Sequence, residues 1–133
     1  MAGVTREFVA ERARHRCEYC HLPEAADPHQ AFHLEHVVPR QHGGDDDAEN
    51  LAWSCSRCNR RKGTNLTTID PASGSIVVLF HPRQDIWEEH FALREARIFG
   101  LSSTGRATAK LLDMNSLHRL QLRRELLRQG KFD

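Results

Sequence analysis

The 133-residue sequence predicts an α+β fold in which short strands and helices are stapled by four cysteines. Three observations carry that reading. The cysteines fall into two pairs, Cys17-Glu18-Tyr19-Cys20 and Cys55-Ser56-Arg57-Cys58. Between the pairs, two short apolar runs flank a polar stretch containing Gly43-Gly44. Beyond them, β-rich segments give way to two helix-start signals. With 39% hydrophobic and 28% charged residues and no low-complexity tract, the composition is that of an ordinary globular protein. The length favours one core over two.

The elements follow in order from cap, turn and periodicity signals. Thr5 can cap a first helix running to about Arg14, with Val9 and Ala13 one turn apart beside Phe8. His21 to Gln30, with Pro23, Asp27 and Pro28, reads as a loop. Phe32 to Val38 reads as a strand stopped by Pro39. The polar run from Arg40 to Asn50 predicts a long surface loop without regular structure. Leu51 to Ser54 predicts a second strand, and Ser56 can cap a short helix through Lys62, ended by Gly63. The core order is therefore strand, loop, strand, helix.

Further on, Ser75 to Phe80 predicts a buried strand, and His90 to Leu93 and Ala96 to Leu101 predict two more. Ser103 or Thr104 starts a helix to about Met114. Ser116 starts the last helix, to which Leu117, Leu120 and Leu127, with the neighbouring Leu122 and Leu126, give an apolar face. The seam is expected between Thr64 and Gly74. This divides the chain into residues 1–70, a core holding the cysteine pairs, and residues 71–133, a strand-and-helix extension packed on it.

Lys and Arg number 19 against 18 Asp and Glu, so the total charge points to no partner. The distribution does. Arg57, Arg60, Arg61 and Lys62 crowd one stretch, and Arg119, Arg123, Arg124, Arg128 and Lys131 crowd another, although solvated helix faces would explain either cluster. The longest apolar runs, such as Ile76 to Phe80, are strand-sized, so no membrane span is expected. The first residues lack the apolar run of a secretory signal, which makes the cytoplasm the expected compartment.

In a reducing compartment two Cys-x-x-Cys pairs favour zinc over disulfides. Each knuckle turns two thiolates toward one point, and Cys17, Cys20, Cys55 and Cys58 together complete a closed tetrahedral structural site. A redox dithiol would explain one pair and leave the other without a role. Residues 21–54, between the pairs, are where function is to be sought.

Hydrolysis of a phosphodiester needs a base, a cation on the phosphate oxygens and positive groups to hold the backbone. His36 can take a proton near neutral pH. Glu35 and Asn59 offer oxygen ligands for a hard cation such as magnesium or manganese. Arg57, Arg60, Arg61 and Lys62 can hold nucleic-acid phosphates. For an isolated His36, a satisfied, partly buried histidine would be the commoner outcome. The surrounding pattern overturns it.

That pattern, Glu35-His36-Val37-Val38-Pro39, then Gly43-Gly44, Asn50-Leu51 and Cys-x-x-Cys-Asn-x-x-Lys-Gly at 55–63, resembles the HNH endonuclease family, the ββα-metal nucleases. The resemblance covers about half the chain. It implies a catalytic set of His36 as general base, Glu35 and Asn59 as ligands of one divalent cation, and Asn50 bracing the loop through side-chain to backbone hydrogen bonds. It also implies cleavage to 5′-phosphate and 3′-hydroxyl ends, with DNA favoured over RNA as partner and both monomer and homodimer left open. Glu35 stands where many members carry Asp. Neighbours on a regular strand face opposite ways, so Glu35 and His36 can share a site only if the strand bends, bulges or ends there.

The other residues carry weaker readings. His33 is a candidate supporting residue, His21, His29 and His42 read as surface or loop positions, and Asp45 to Asp47 as a solvated turn. Trp53 and Trp87 read as core. Trp87-Glu88-Glu89-His90-Phe91 and Gly105-Arg106-Ala107-Thr108 resemble the C-terminal extension of one group of bacterial stand-alone HNH proteins, in which Arg106 would touch nucleic acid or cap the fold. The alternatives to a nuclease are a non-catalytic zinc-dependent nucleic-acid-binding module and, third, a protein-interaction domain using zinc only for stability.

Overall fold

The computed structural model describes residues 3–132. Where length predicts one core, the chain forms two compact units, one running to Thr64 and taking in His81–Gln84, the other holding Asn65–Phe80 and the chain from Asp85 onward.

In the first unit, α1 (Arg6–Arg12) is capped by Thr5, whose hydroxyl accepts from the Phe8 amide at 3.0 Å. It stops two residues short of the predicted end because Arg14 and His15 turn to φ of 56° and 54°, outside the helical region. β1 (His33–His36) pairs antiparallel with β2 (Leu51–Ser54), Glu35 opposite Ala52 and His36 opposite Leu51. β1 is shorter at both ends than the predicted strand. The connecting stretch is not wholly irregular, since it contains 3₁₀ turns at Arg40–His42 and Ala48–Asn50. α2 (Ser56–Lys62) follows β2. Its cap is Cys55 rather than Ser56: the Cys55 sulphur accepts from the Cys58 amide at 3.4 Å, so one residue starts the helix and supplies a thiolate.

Val9, Phe32, Leu51, Trp53 and the four cysteines make the buried centre of this unit. Trp53 is tied to the first knuckle, its amide donating to Glu18 Oε2 at 2.7 Å and accepting at its carbonyl from the Glu18 amide at 2.8 Å. Arg83 pairs with the same Glu18.

The second unit begins with a hairpin of β3 (Thr67–Ile69) and β4 (Ile76–Val78). The predicted buried strand Ser75–Phe80 is corrected here. Ile76 and Val78 are 74% and 65% exposed, and burial starts only at Leu79 and Phe80. The hairpin is two-stranded, and the face carrying Ile69, Ile76 and Val78 lies in solvent. α3 (Trp87–His90), a single turn, displaces the next predicted strand by one residue, giving β5 (Phe91–Arg94), which pairs with β6 (Arg97–Gly100). α4 (Ser103–Leu111) is capped by Ser102, whose hydroxyl accepts from the Gly105 amide, and α5 (Leu117–Arg128) by Ser116.

α5 departs from its predicted apolar face. Leu117 is 72% exposed, whereas Arg119 and Arg123 are buried among the residues read as a basic surface. Arg123 donates to the carbonyls of Ala96 at 2.6 Å and Met114 at 2.7 Å, so its guanidinium closes backbone ends inside the unit. The Gly-Arg-Ala-Thr segment is likewise structural. A Cβ at Gly105 would lie 1.9 Å from the His90 carbonyl oxygen. Arg106 forks onto Asp70 at 3.0 and 2.8 Å, and Thr108 accepts from the Phe80 amide. Among the described residues no helix is long and apolar enough to cross a membrane.

Candidate functional site

The first knuckle is positioned by α1 and its left-handed exit, the second by the end of β2 and the start of α2. Together they bring the sulphurs of Cys17, Cys20, Cys55 and Cys58 within 4.8 Å of one another, all four buried and none in a disulfide. Tetrahedral zinc–thiolate bonds of about 2.3 Å set sulphurs about 3.8 Å apart. Cys20 and Cys55 stand at 3.8 Å. Burial pushes the Cys17 thiol well above its ordinary value, and a cation among the four sulphurs would favour their thiolate forms. The donor set fits zinc, and its closed, buried geometry is that of a structural site.

His36 closes β1 with its ring half-exposed. Its Nε2 lies 2.7 Å from Asp46 Oδ1, and Arg40 donates to the same oxygen at 3.0 Å. Asp46 is 70% exposed at its side chain, yet His36 first and Arg40 next hold its carboxyl below the usual range. The loop carrying Asp46 is held by Asn50. Asn50 Oδ1 accepts from the Val38 amide at 2.9 Å, and Nδ2 donates to the carbonyls of Val38 at 3.0 Å and Asp45 at 2.8 Å. Gly44 permits this closure, since a Cβ there would sit 1.6 Å from the Val38 carbonyl oxygen.

Glu35 faces the other way, as a regular strand requires, and is 5% exposed. Its Oε1 accepts from the Tyr19 hydroxyl at 3.0 Å and lies 2.9 Å from Lys62 Nζ. Lys62 is itself 1% exposed and donates to the Val37 carbonyl at 2.9 Å. The expectation that Lys62 holds phosphate is corrected by this burial, which commits its ammonium to Glu35 and Val37. Glu35 Oε2 is buried with no hydrogen-bond partner among the described residues. Glu35 and His36 nevertheless open on one shallow groove of about 430 Å³, also lined by Arg40, Asn59 and Thr64. They share it because β1 ends at His36.

Arg60 and Arg61 are exposed and Arg57 is half-buried on α2, while His33 lies exposed at the start of β1. Two participants escaped the sequence reading. Asp46 read as one of three acidic residues in a solvated turn, and Tyr19 carried no reading beyond its place between two cysteines. Its place inside a knuckle was the available signal, since a bulky aromatic there must pack somewhere close to the metal site.

Residues 17–65 match the family model described as HNH endonuclease. The chain is also 26% identical over 121 residues to the Septu protein PtuB of Bacillus thuringiensis, a match covering 90% of this chain and 44% of that protein. The chain thus spans less than half the length of this relative. No solved structure matches.

Proposed function

From an HNH endonuclease segment at residues 17–65, we propose that this protein is a divalent-cation-dependent endonuclease that hydrolyses phosphodiester bonds in DNA. One observation carries the reading: His36, Asn59 and Glu35 line a single groove, and one carboxylate oxygen of Glu35 is buried with no hydrogen-bond partner among the described residues. A buried, unpaired polar oxygen costs about 1–3 kcal/mol. Oxygen donors from Glu35 and Asn59, with water and phosphate, suit magnesium or manganese. When bound, such a cation would polarise the scissile phosphate and stabilise the leaving 3′ oxygen.

The remaining steps belong to the chain. With Nε2 of His36 engaged by Asp46, Nδ1 is the nitrogen that receives the proton of the attacking water. Asn50 keeps the loop and the strand end in register. Arg57, Arg60 and Arg61 hold the backbone phosphates. The water attacks phosphorus, the P–O3′ bond breaks, and the products carry 5′-phosphate and 3′-hydroxyl ends. Four cysteines outside any disulfide support a reducing compartment, the cytoplasm, for this activity.

The test is nicking of supercoiled plasmid by zinc-loaded protein with magnesium or manganese, beside His36→Ala. Loss of a general base is expected to slow cutting by about 10²–10⁴-fold. Equal inertness of both proteins, with both still retarding labelled DNA, would sink the nuclease reading in favour of a binding module.

A further inference from the structure

The two oxygens of Glu35 have unlike surroundings. Oε1 is doubly held, by the Tyr19 hydroxyl at 3.0 Å and the Lys62 ammonium at 2.9 Å, while Oε2 is buried and has no hydrogen-bond partner among the described residues. Both holding groups are themselves buried, Tyr19 completely. Lys62 is fixed a second time by the Val37 carbonyl, so it is tied to the strand segment that carries Glu35.

The origin of the two groups matters as much as their distances. Tyr19 lies inside the first Cys-x-x-Cys, and Lys62 ends α2, the helix that starts within the second. Each therefore hangs from one half of the four-cysteine cluster. When that cluster is assembled, hydroxyl and ammonium converge on one oxygen.

Stability alone does not account for this arrangement. Burying an ammonium and a carboxylate together gains little over apolar side chains of similar volume. Leaving one oxygen of that carboxylate unpaired adds a further cost, and such groups in native proteins call for an explanation. A carboxylate pinned at one oxygen has little freedom to rotate. Glu35 is also one of the residues that line the groove with His36 and Asn59.

We propose that Tyr19 and Lys62 are positioning residues that pin Glu35 Oε1 so that Oε2 is presented to the divalent cation, and that the four-cysteine site thereby sets the affinity of a second metal site. This rests on the nuclease reading only for the identity of Glu35 as a cation ligand. The zinc site then has a duty beyond folding, since the parts that fix the carboxylate are built on its two knuckles.

The experiment measures Mn²⁺ binding to zinc-loaded protein by electron paramagnetic resonance, with zinc content and circular dichroism recorded for each variant. Glu35→Gln should abolish binding. Tyr19→Phe, which removes only the hydroxyl, should weaken it by about 10–100-fold, as loss of a group behind a metal ligand does. Its plasmid-nicking rate should recover at excess Mn²⁺, which damage to the fold would not allow. Lys62→Met should shift Mn²⁺ affinity in the same direction, and it decides the matter if Tyr19→Phe loses zinc. Unchanged Mn²⁺ affinity in zinc-replete Tyr19→Phe, or a wild-type protein that binds no Mn²⁺, overturns the proposal. Tight Mn²⁺ binding that depends on Tyr19 without any nicking leaves the clamp standing and removes the nuclease reading.

Discussion

Asn50 makes three hydrogen bonds to the backbone across the loop, and truncating it leaves the Val38 amide and two carbonyls without those partners. Asn50→Ala is expected to destabilise the first unit by about 2–3 kcal/mol, read from urea unfolding of zinc-loaded protein, and to slow cutting because the His36 loop loosens. Asp46 should separate these two effects. It lies mostly in solvent, so Asp46→Ala should leave the unfolding curve almost unmoved while lowering kcat by at least roughly ten-fold, as expected when a carboxylate that orients a histidine is lost. An unchanged kcat would show the contact to be a surface pairing only. His36, Asn50 and Asn59 were legible in the sequence because their spacing is a pattern. The Asp46 contact was not, since nothing in Asp45-Asp46-Asp47 says which carboxylate a loop closed by Asn50 will aim at the ring.

Among the elements, the hairpins and α4 show how much a cap or a turn signal determines. Ser102, Ser116 and Thr5 cap their helices through the side-chain to amide bonds expected of such residues. Apolar run length was less informative: Ile76 and Val78 belong to an exposed hairpin because β4 pairs with only one neighbour, and a sequence does not reveal how many layers cover a strand. The junction of β3 and α4 rests on the fork from Arg106 to Asp70. That fork holds the Asp70 carboxyl well below the ordinary carboxylate range. A folded value below the unfolded one, about 3.9, means that the contribution is fully present above that pH and is lost as pH falls through the folded value. Asp70→Asn should therefore lower the unfolding midpoint at pH 6, and the gap to wild type should narrow progressively below pH 4. A gap independent of pH would mean that shape rather than charge holds the junction.

At the scale of the whole molecule, the two units differ in what sustains them. The second has a core of Phe80, Phe91, Ile98, Leu112 and Met114, in which Phe80 and Phe91 meet edge to face at 5.2 Å between ring centres. The first gathers its apolar side chains, among them Val9, Leu22, Phe32, Leu51 and Trp53, around four buried cysteines that a metal ion would staple. Chelation of zinc should therefore unfold the first unit selectively. Trp53 emission should shift to the red, while Trp87, followed in a Trp53→Phe background, keeps its native spectrum. A single cooperative loss of both signals would make the units interdependent.

The sequence by itself determined the local chemistry: the paired cysteines, the strand–loop–strand–helix order, the caps at Thr5 and Ser116 and the spacing of His36, Asn50 and Asn59. Each depends on residues close together or on a pattern with a fixed reach, and such signals survive in one dimension. Tertiary structure alone decided the direction of the charges. Lys62 and Arg123, written among basic clusters, turn inward to a carboxylate and to backbone carbonyls, and Asp46, solvent-facing as read, also reaches His36. Whether a long charged side chain meets water or a buried partner depends on which distant segment is brought beside it, and that is settled only when the chain closes.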